Sequence, residues 1–282
     1  MSDAMPPEWR TLKVSVRGAA HERVGLPNQD AVRVSRLGDG RAWLMALADG
    51  HGSAKSFRSQ HGARLAVVVA RKVCGHLFKL DNPSQIKRWA EEQLPLELVR
   101  NWRERVERSL QRQPFTPAEL DALDTAGRRQ VDAHPSLAYG STLLGVVVAS
   151  GFILYLQLGD GDILTVSAEG AIDRPLLRDT RLIANETTSL CSDKAWNEVR
   201  VRFQTLAGAP PALILAATDG YANAYRDEAG FQQVARDYWA LLRDEGEEAV
   251  RPHLKDWLNE ASQQGSGDDI TLGLLWRPIA QI

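Results

Sequence analysis

Cysteine is scarce. The chain has two, Cys74 and Cys191, far apart and in no CxxC pattern. That argues against a disulfide framework and against a zinc site, and it leaves both as buried thiols in a reducing, cytoplasmic setting. Net charge is scarce too: 34 basic residues against 36 acidic ones give a formal charge of -2. Nothing in that balance draws the chain to nucleic acid or to an anionic membrane. No apolar run reaches the length of a membrane span, and the opening "MSDAMPPEWR" lacks the apolar core of a signal peptide. There is no internal repeat, low-complexity tract or linker. What remains is an ordinary globular composition, 44% hydrophobic and 25% charged, over 282 residues. A loose start over residues 1–10 and a single domain over 11–282 are expected.

Strand signals come first. "LKVSVRG" alternates Leu12, Val14 and Val16, and "AVRVSR" and "RAWLMALA" follow, joined by a hairpin turn at Asp39–Gly40. From Ser53 to about Leu80 the pattern is helical and apolar on most sides, as in a helix packed inside a large fold. Residues 81–135 read as two or three more polar helices over a sheet, broken near Pro95, with Thr116 as a cap and Pro117 at a first helical position. The Trp and Arg of "RWAEEQLPLELVRNWRER" read as helix packing. Strands return in "TLLGVVVA" and "FILYLQL" across the two-residue turn "SG", then "DILTVS", "AEGAI", "EVRVRF" and the continuous apolar "ALILAA". A helical region from Phe231 to Gln263 precedes "ITLGLLW". Hairpin-linked strands with helices outside them predict an α+β fold of antiparallel sheets.

Carboxylates recur at the ends of these strands. Asp49 closes "LMALADGHGSA", Asp30 opens the strand in "PNQDAVRV", Asp160 follows "YLQL", Asp219 follows "LILAAT", and Asp268 and Asp269 precede "ITLGLL". Any one of them reads equally as a turn residue. Asp219 is harder to explain that way, because its strand is so apolar that the carboxylate must lie near the core, where an unpaired charge is costly. A shared cation would satisfy several such groups at once. Oxygen donors with no cysteine or histidine cluster favour Mg²⁺ or Mn²⁺. Carboxylates around two hard cations are a known device for displacement at phosphorus, and a neighbouring histidine could protonate a leaving alkoxide. No Ser, Cys or His stands in a nucleophile motif. The residue types therefore suggest a metal-dependent phosphoester hydrolase.

In their order and wording, "NQDAV", "LADGHGSA", "YGSTLLGVVV", "LQLGDGDI", "LILAATDGYAN" and "GSGDDITLGLL" resemble the metal-dependent protein phosphatases of type 2C, from about Val14 to Trp276. "LIANETTSLC" and the "GxPxQDA" form of the first motif resemble its bacterial branch. The resemblance implies two packed antiparallel sheets flanked by helices. It also implies hydrolysis of phosphoserine and phosphothreonine by a metal-bound water without a phosphoenzyme, on phosphoprotein substrates made by a protein kinase. Asp49 should bridge two Mg²⁺ or Mn²⁺ ions, Gly50 should offer its carbonyl, and Asp219 and Asp268 should complete the first ion's ligands. Asp269 stands where the family usually has Asn. Asp30 should contact metal-bound waters, and Asp160 with Asp219 should hold the third ion seen in some members. His51 matches a residue proposed there as general acid.

Two departures matter. The family's carboxylate before Asp30 is Gln29 here, and its phosphate-gripping arginine, five residues before Asp30, is Gly25. Arg23 and His21 are the candidates to replace that arginine. His61, His76, His134 and His253 fall in no motif and are expected to be structural or exposed. Two other readings stand beside the leading one: a pseudophosphatase that recognises phosphoproteins without turnover, and a small-molecule phosphohydrolase.

Overall fold

The computed structural model describes residues 9–177 and 188–278. Most of the expected loose start lies outside the described residues, but Trp9 is buried and Arg10 already opens the first strand. Part of "LIANETTSLC" also falls outside them.

Among the described residues, ten strands form two antiparallel sheets. The first sheet runs β1 (Arg10–Val16), β10 (Ile270–Trp276), β9 (Leu213–Ala217), β6 (Asp162–Val166) and β7 (Ile172–Asp173). The second runs β2 (Ala31–Leu37), β3 (Ala42–Ala48), β4 (Leu143–Ala149), β5 (Phe152–Leu158) and β8 (Arg200–Thr205). Leu37 pairs with Ala42 across a turn in which Gly38, Asp39 and Gly40 all take positive φ, so the Asp39–Gly40 pair serves the hairpin.

The inner faces of the two sheets meet in one apolar layer. Met45 and Leu47 of β3, Val146 and Val148 of β4 and Ile214 of β9 lie in it. Alternation sends the other residues of the same strands outward: Leu44 and Ala46 pack with the helices on the second sheet, Leu213 and Leu215 with those on the first. That double burial explains why β9 is apolar at every position. The layers are helix, sheet, sheet, helix, as expected.

On the second sheet lie α2 (Ser59–Cys74), α3 (Pro83–Glu92) and α4 (Leu94–Arg112), followed by α5 (Pro117–Asp121) and α6 (Thr125–Ala133). Residues 81–135 thus hold four helices, not two or three. The break expected near Pro95 falls at Gln93, two residues before it, and Pro95 sits in the first turn of α4, where its missing N–H is no loss. Thr116 caps α5 in a full capping box with Glu119. Trp102 is buried and donates to the Gly62 carbonyl at 3.0 Å, so the Trp of that region is packing. His76 and His253 stack on Trp89 and Trp257.

The first sheet carries α8 (Glu228–Asp244), α9 (Glu247–Val250) and α10 (Leu254–Ala261), so the last helical region begins three residues early and is three helices. Two short helices sit at strand ends: α1 (Ala19–Val24) after β1 and α7 (Asp219–Ala222) after β9. Cys74 is buried, and burial pushes its thiol up to about 12; Cys191 is half-buried and also free.

Candidate metal centre

Strand register decides where the carboxylates go. Ala31 pairs with Ala48, which puts Asp30 and Asp49 at one end of the second sheet. Leu143 pairs with Leu158, which brings the turn after β5, with Asp160, to the same end. In the first sheet Ala217 pairs with both Leu272 and Asp162, so Asp219, Asp160 and Asp268 lie at matching ends of their strands. Carboxylates more than 200 residues apart therefore converge on one edge of the sandwich.

Asp49, Asp160 and Asp219 form the tightest group, each offering an oxygen within 4.8 Å of the others. Asp49 is fixed at its backbone: Thr142 Oγ1 accepts its N–H at 3.0 Å, and its carbonyl accepts from the Thr142 amide at 2.8 Å. Gly50 bridges to Ser141. Asp219 opens α7 beside Gly220, which passes so close to β10 that an added Cβ would come 2.2 Å from the Asp269 carbonyl oxygen. Asp30 is buried and accepts from Thr218 Oγ1 at 2.8 Å through one oxygen, while its Oδ1 and the neighbouring Gln29 Oε1 are buried without a partner.

The electrostatics are those of a crowded anionic site. Burial raises Asp30 to about 8, with Asp269 and Asp268 adding to it against hydrogen bonds from Thr271 and Thr218. Burial raises Asp219 to about 6, helped by Asp160. Asp49 is driven well up by burial and then by Asp30 and Asp219, and burial also raises Asp268. Such groups gain charge readily only when a cation shares it. Orphaned buried oxygens and an all-oxygen donor set fit hard divalent ions.

Asp269 has a different task. It is buried, and both its oxygens accept backbone amides at 2.6 Å, Gly18 on Oδ1 and Gln29 on Oδ2. It thereby clamps the start of β10 to both ends of the loop that carries α1. His21 lies with Nδ1 3.0 Å from Asp269 Oδ2 and Nε2 3.8 Å from Asp268 Oδ1. Arg23 is exposed on the same helix. His51 donates its backbone N–H to Gly140 at 3.2 Å and packs its ring there. Burial pushes the imidazole down, opposed by the charge of Asp160.

Sequence reasoning missed Thr218 and Ser262. Thr218 donates to Asp30 and accepts from the Thr271 amide at 2.9 Å. Ser262 accepts from the Ala19 amide at 3.0 Å and donates to the Asp268 carbonyl at 2.9 Å. Thr218 had a signal, a hydroxyl directly before the motif aspartate; Ser262 lies outside every motif and had none.

A family model described as protein phosphatase 2C matches residues 17–259. No curated protein sequence matches the chain. Among solved structures, the serine/threonine phosphatase Stp1 from Staphylococcus aureus has TM-score 0.63 at 14% identity, covering 98% of this chain and 98% of that one. The Mycobacterium tuberculosis phosphatase PstP/Ppp has TM-score 0.56 at 17% identity, covering 96% and 99%. The catalytic domain of PstP in complex with 2 manganese ions has TM-score 0.55 at 17% identity, covering 95% and 97%. At such identities the likeness is one of fold.

Proposed function

Since the chain belongs to the protein phosphatase 2C family of phosphoprotein phosphatases, we propose that it hydrolyses phosphoserine and phosphothreonine at a two-ion Mg²⁺ or Mn²⁺ centre and so opposes a protein kinase. One observation carries this reading: Asp49, Asp160 and Asp219 converge within 4.8 Å at the sheet edge that Asp30 and Asp268 also reach. A similar fold solved with two manganese ions supports the ion count.

In this reading Asp49, the Gly50 carbonyl, Asp219 and Asp268 would hold the ions, with the Asp30 carboxylate beside them. Asp160 with Asp219 would take a third ion. When bound, such ions supply Lewis acidity for the phosphoryl oxygens and a water nucleophile near neutral pH. The chain's own groups do the rest. His51, beside Asp160, hands a proton to the leaving serine or threonine oxygen. His21 lies against the carboxylates of Asp268 and Asp269, and the exposed guanidinium of Arg23 is the group assigned here to grip the phosphate, a contact Arg makes bidentately. No helix among the described residues is long and apolar enough to cross a membrane.

The test is release of phosphate from phosphothreonine and phosphotyrosine peptides, with chelator-treated protein and with Mn²⁺ or Mg²⁺ restored. Turnover of phosphothreonine only with metal, and its loss in Asp219→Asn, is expected. Undiminished turnover in excess chelator would sink the reading. Arg23→Ala should raise KM with little change in kcat; an unchanged KM removes Arg23 from the phosphate site.

A further inference from the structure

A cavity of about 470 Å³ opens between α7, α8 and α10, outside the carboxylate centre. Tyr221, Tyr225, Tyr238 and Trp257 wall it, and Asp237 and Glu260 also line it. No Lys, Arg or His lines it among the described residues. The Tyr221 and Tyr238 hydroxyls bond each other at 2.9 Å. Each carboxylate is held by a glutamine amide, Asp237 by Gln233 at 2.8 Å and Glu260 by Gln264 at 3.0 Å. Volume and lining are those of a small-ligand site. Ring faces carry negative potential, and ionised carboxylates only accept. An anion would be repelled here, and two carboxylates without a third acidic or imidazole ligand among the described residues do not make a site for a bare metal ion. A cation with an apolar body satisfies both the rings and the carboxylates.

The same walls lead to the metal ligands. Tyr221 sits two residues after Asp219 on α7. The wide π-type turn Ser262–Ser266 ends just before Asp268 and packs closely on the segment that leaves α7: an added Cβ at Gly265 would come 2.7 Å from the Ala224 Cα. Ser262 within that turn holds the Asp268 carbonyl.

We propose that this cavity binds an organic cation, an ammonium or guanidinium group from a free amine or from a partner's basic side chain, and that its occupancy is linked to occupancy of the carboxylate centre. The linkage, though not the binding, rests on the metal reading above. Linkage is reciprocal, so a ligand that shifts α7 and the turn changes metal affinity, and metal changes the ligand's affinity by the same factor.

The experiment is calorimetric titration of the full chain, first without metal, with choline, with its neutral isostere 3,3-dimethylbutan-1-ol, and with a Gly-Gly-Arg-Gly-Gly peptide. We expect at least one cationic probe to bind and the isostere to bind at least tenfold more weakly. The Asp237→Asn/Glu260→Gln double variant should lose tenfold or more, and Val234→Trp, which fills the cavity, should abolish binding. Choline alone identifies a free amine as the source; the peptide alone identifies a partner's side chain. Equal binding of the isostere, no binding of either cation, or binding that survives Val234→Trp overturns the site. Mn²⁺ titrations with and without the bound probe then read the linkage as a change of at least threefold in metal affinity. An unchanged affinity overturns the linkage and leaves the site. Failure of Mn²⁺ to bind at all overturns the metal reading and the linkage that rests on it, and again leaves the site.

Discussion

The structure gives a reason for the carboxylate of Asp269. Two buried amides, Gly18 and Gln29, each donate to it at 2.6 Å. An amide side chain has one acceptor and would turn an NH₂ toward the second donor. Asp269→Asn should therefore destabilise the protein by about 1–3 kcal/mol, the cost of an unsatisfied buried donor, read as a lower urea midpoint at unchanged slope. A stability equal to wild type would show that the clamp is not needed. His51 makes a second test. If it protonates the leaving oxygen, His51→Ala should slow phosphoserine turnover about 10²–10⁴-fold and barely touch p-nitrophenyl phosphate, whose leaving group scarcely needs a proton. Equal losses would assign His51 to shaping the site. At this scale the sequence was legible where a motif aspartate follows an apolar strand, as at Asp49 and Asp219. It marked His21 only as a candidate for the phosphate and gave no sign of its place beside Asp268 and Asp269, about 250 residues away and brought there only by the pairing of β1 with β10.

Among the elements, the approach to α2 depends on one side chain. The Arg58 guanidinium donates to Glu119 at 2.7 and 2.8 Å, to the Gln113 and Pro114 carbonyls at 2.6 and 3.0 Å and to the Tyr139 hydroxyl at 3.0 Å. It ties α5 and the preceding loop to the start of α2. Arg58→Met should cost about 1–3 kcal/mol at neutral pH, because it removes several hydrogen bonds but leaves a half-buried Glu119 that water can screen. The Arg58 guanidinium also holds Glu119 down at about 2. A depressed carboxylate contributes stability that is complete above its unfolded pKa of 4.5 and is lost as pH falls toward about 2. Wild type should shed that part in the window and Arg58→Met should not; parallel acid profiles would show the pair to be idle. Neither the pair nor the count of four helices was visible in the sequence. A polar, Arg-rich stretch showed the interruptions marked by Pro95 and by Thr116–Pro117, while sequence reasoning missed the separate start of α6 at Asp124. The strands were legible because each alternates or is wholly apolar and ends on a turn signal.

Taken whole, the molecule packs two sheets face to face through an apolar layer and gathers acids at one edge of them. At pH above the ordinary carboxylate range that edge works against folding unless a cation is bound. Asp30 and Asp219 stand raised from 3.8 to about 8 and about 6 in the folded protein, both chiefly through burial. A carboxyl group raised on folding stabilises fully below its unfolded pKa, and that stabilisation is lost as pH rises through the folded value. Chelator-treated protein should accordingly lose stability between about pH 4 and 8, by up to about 1.4 kcal/mol per pH unit for each group in its own window. A divalent ion binds only the ionised carboxylates, so it gains affinity over the same range. The gap in melting temperature between Mn²⁺-loaded and chelated protein should widen steadily from pH 4 to pH 8, driven from both sides. Asp30→Asn, which removes the group raised to about 8, should make the chelated profile shallower toward pH 8, with the remaining slope due to the other raised carboxylates. A gap that stays constant with pH would mean that the acids at the sheet edge are satisfied without metal, and the edge would then be a structural seam instead of a cation site.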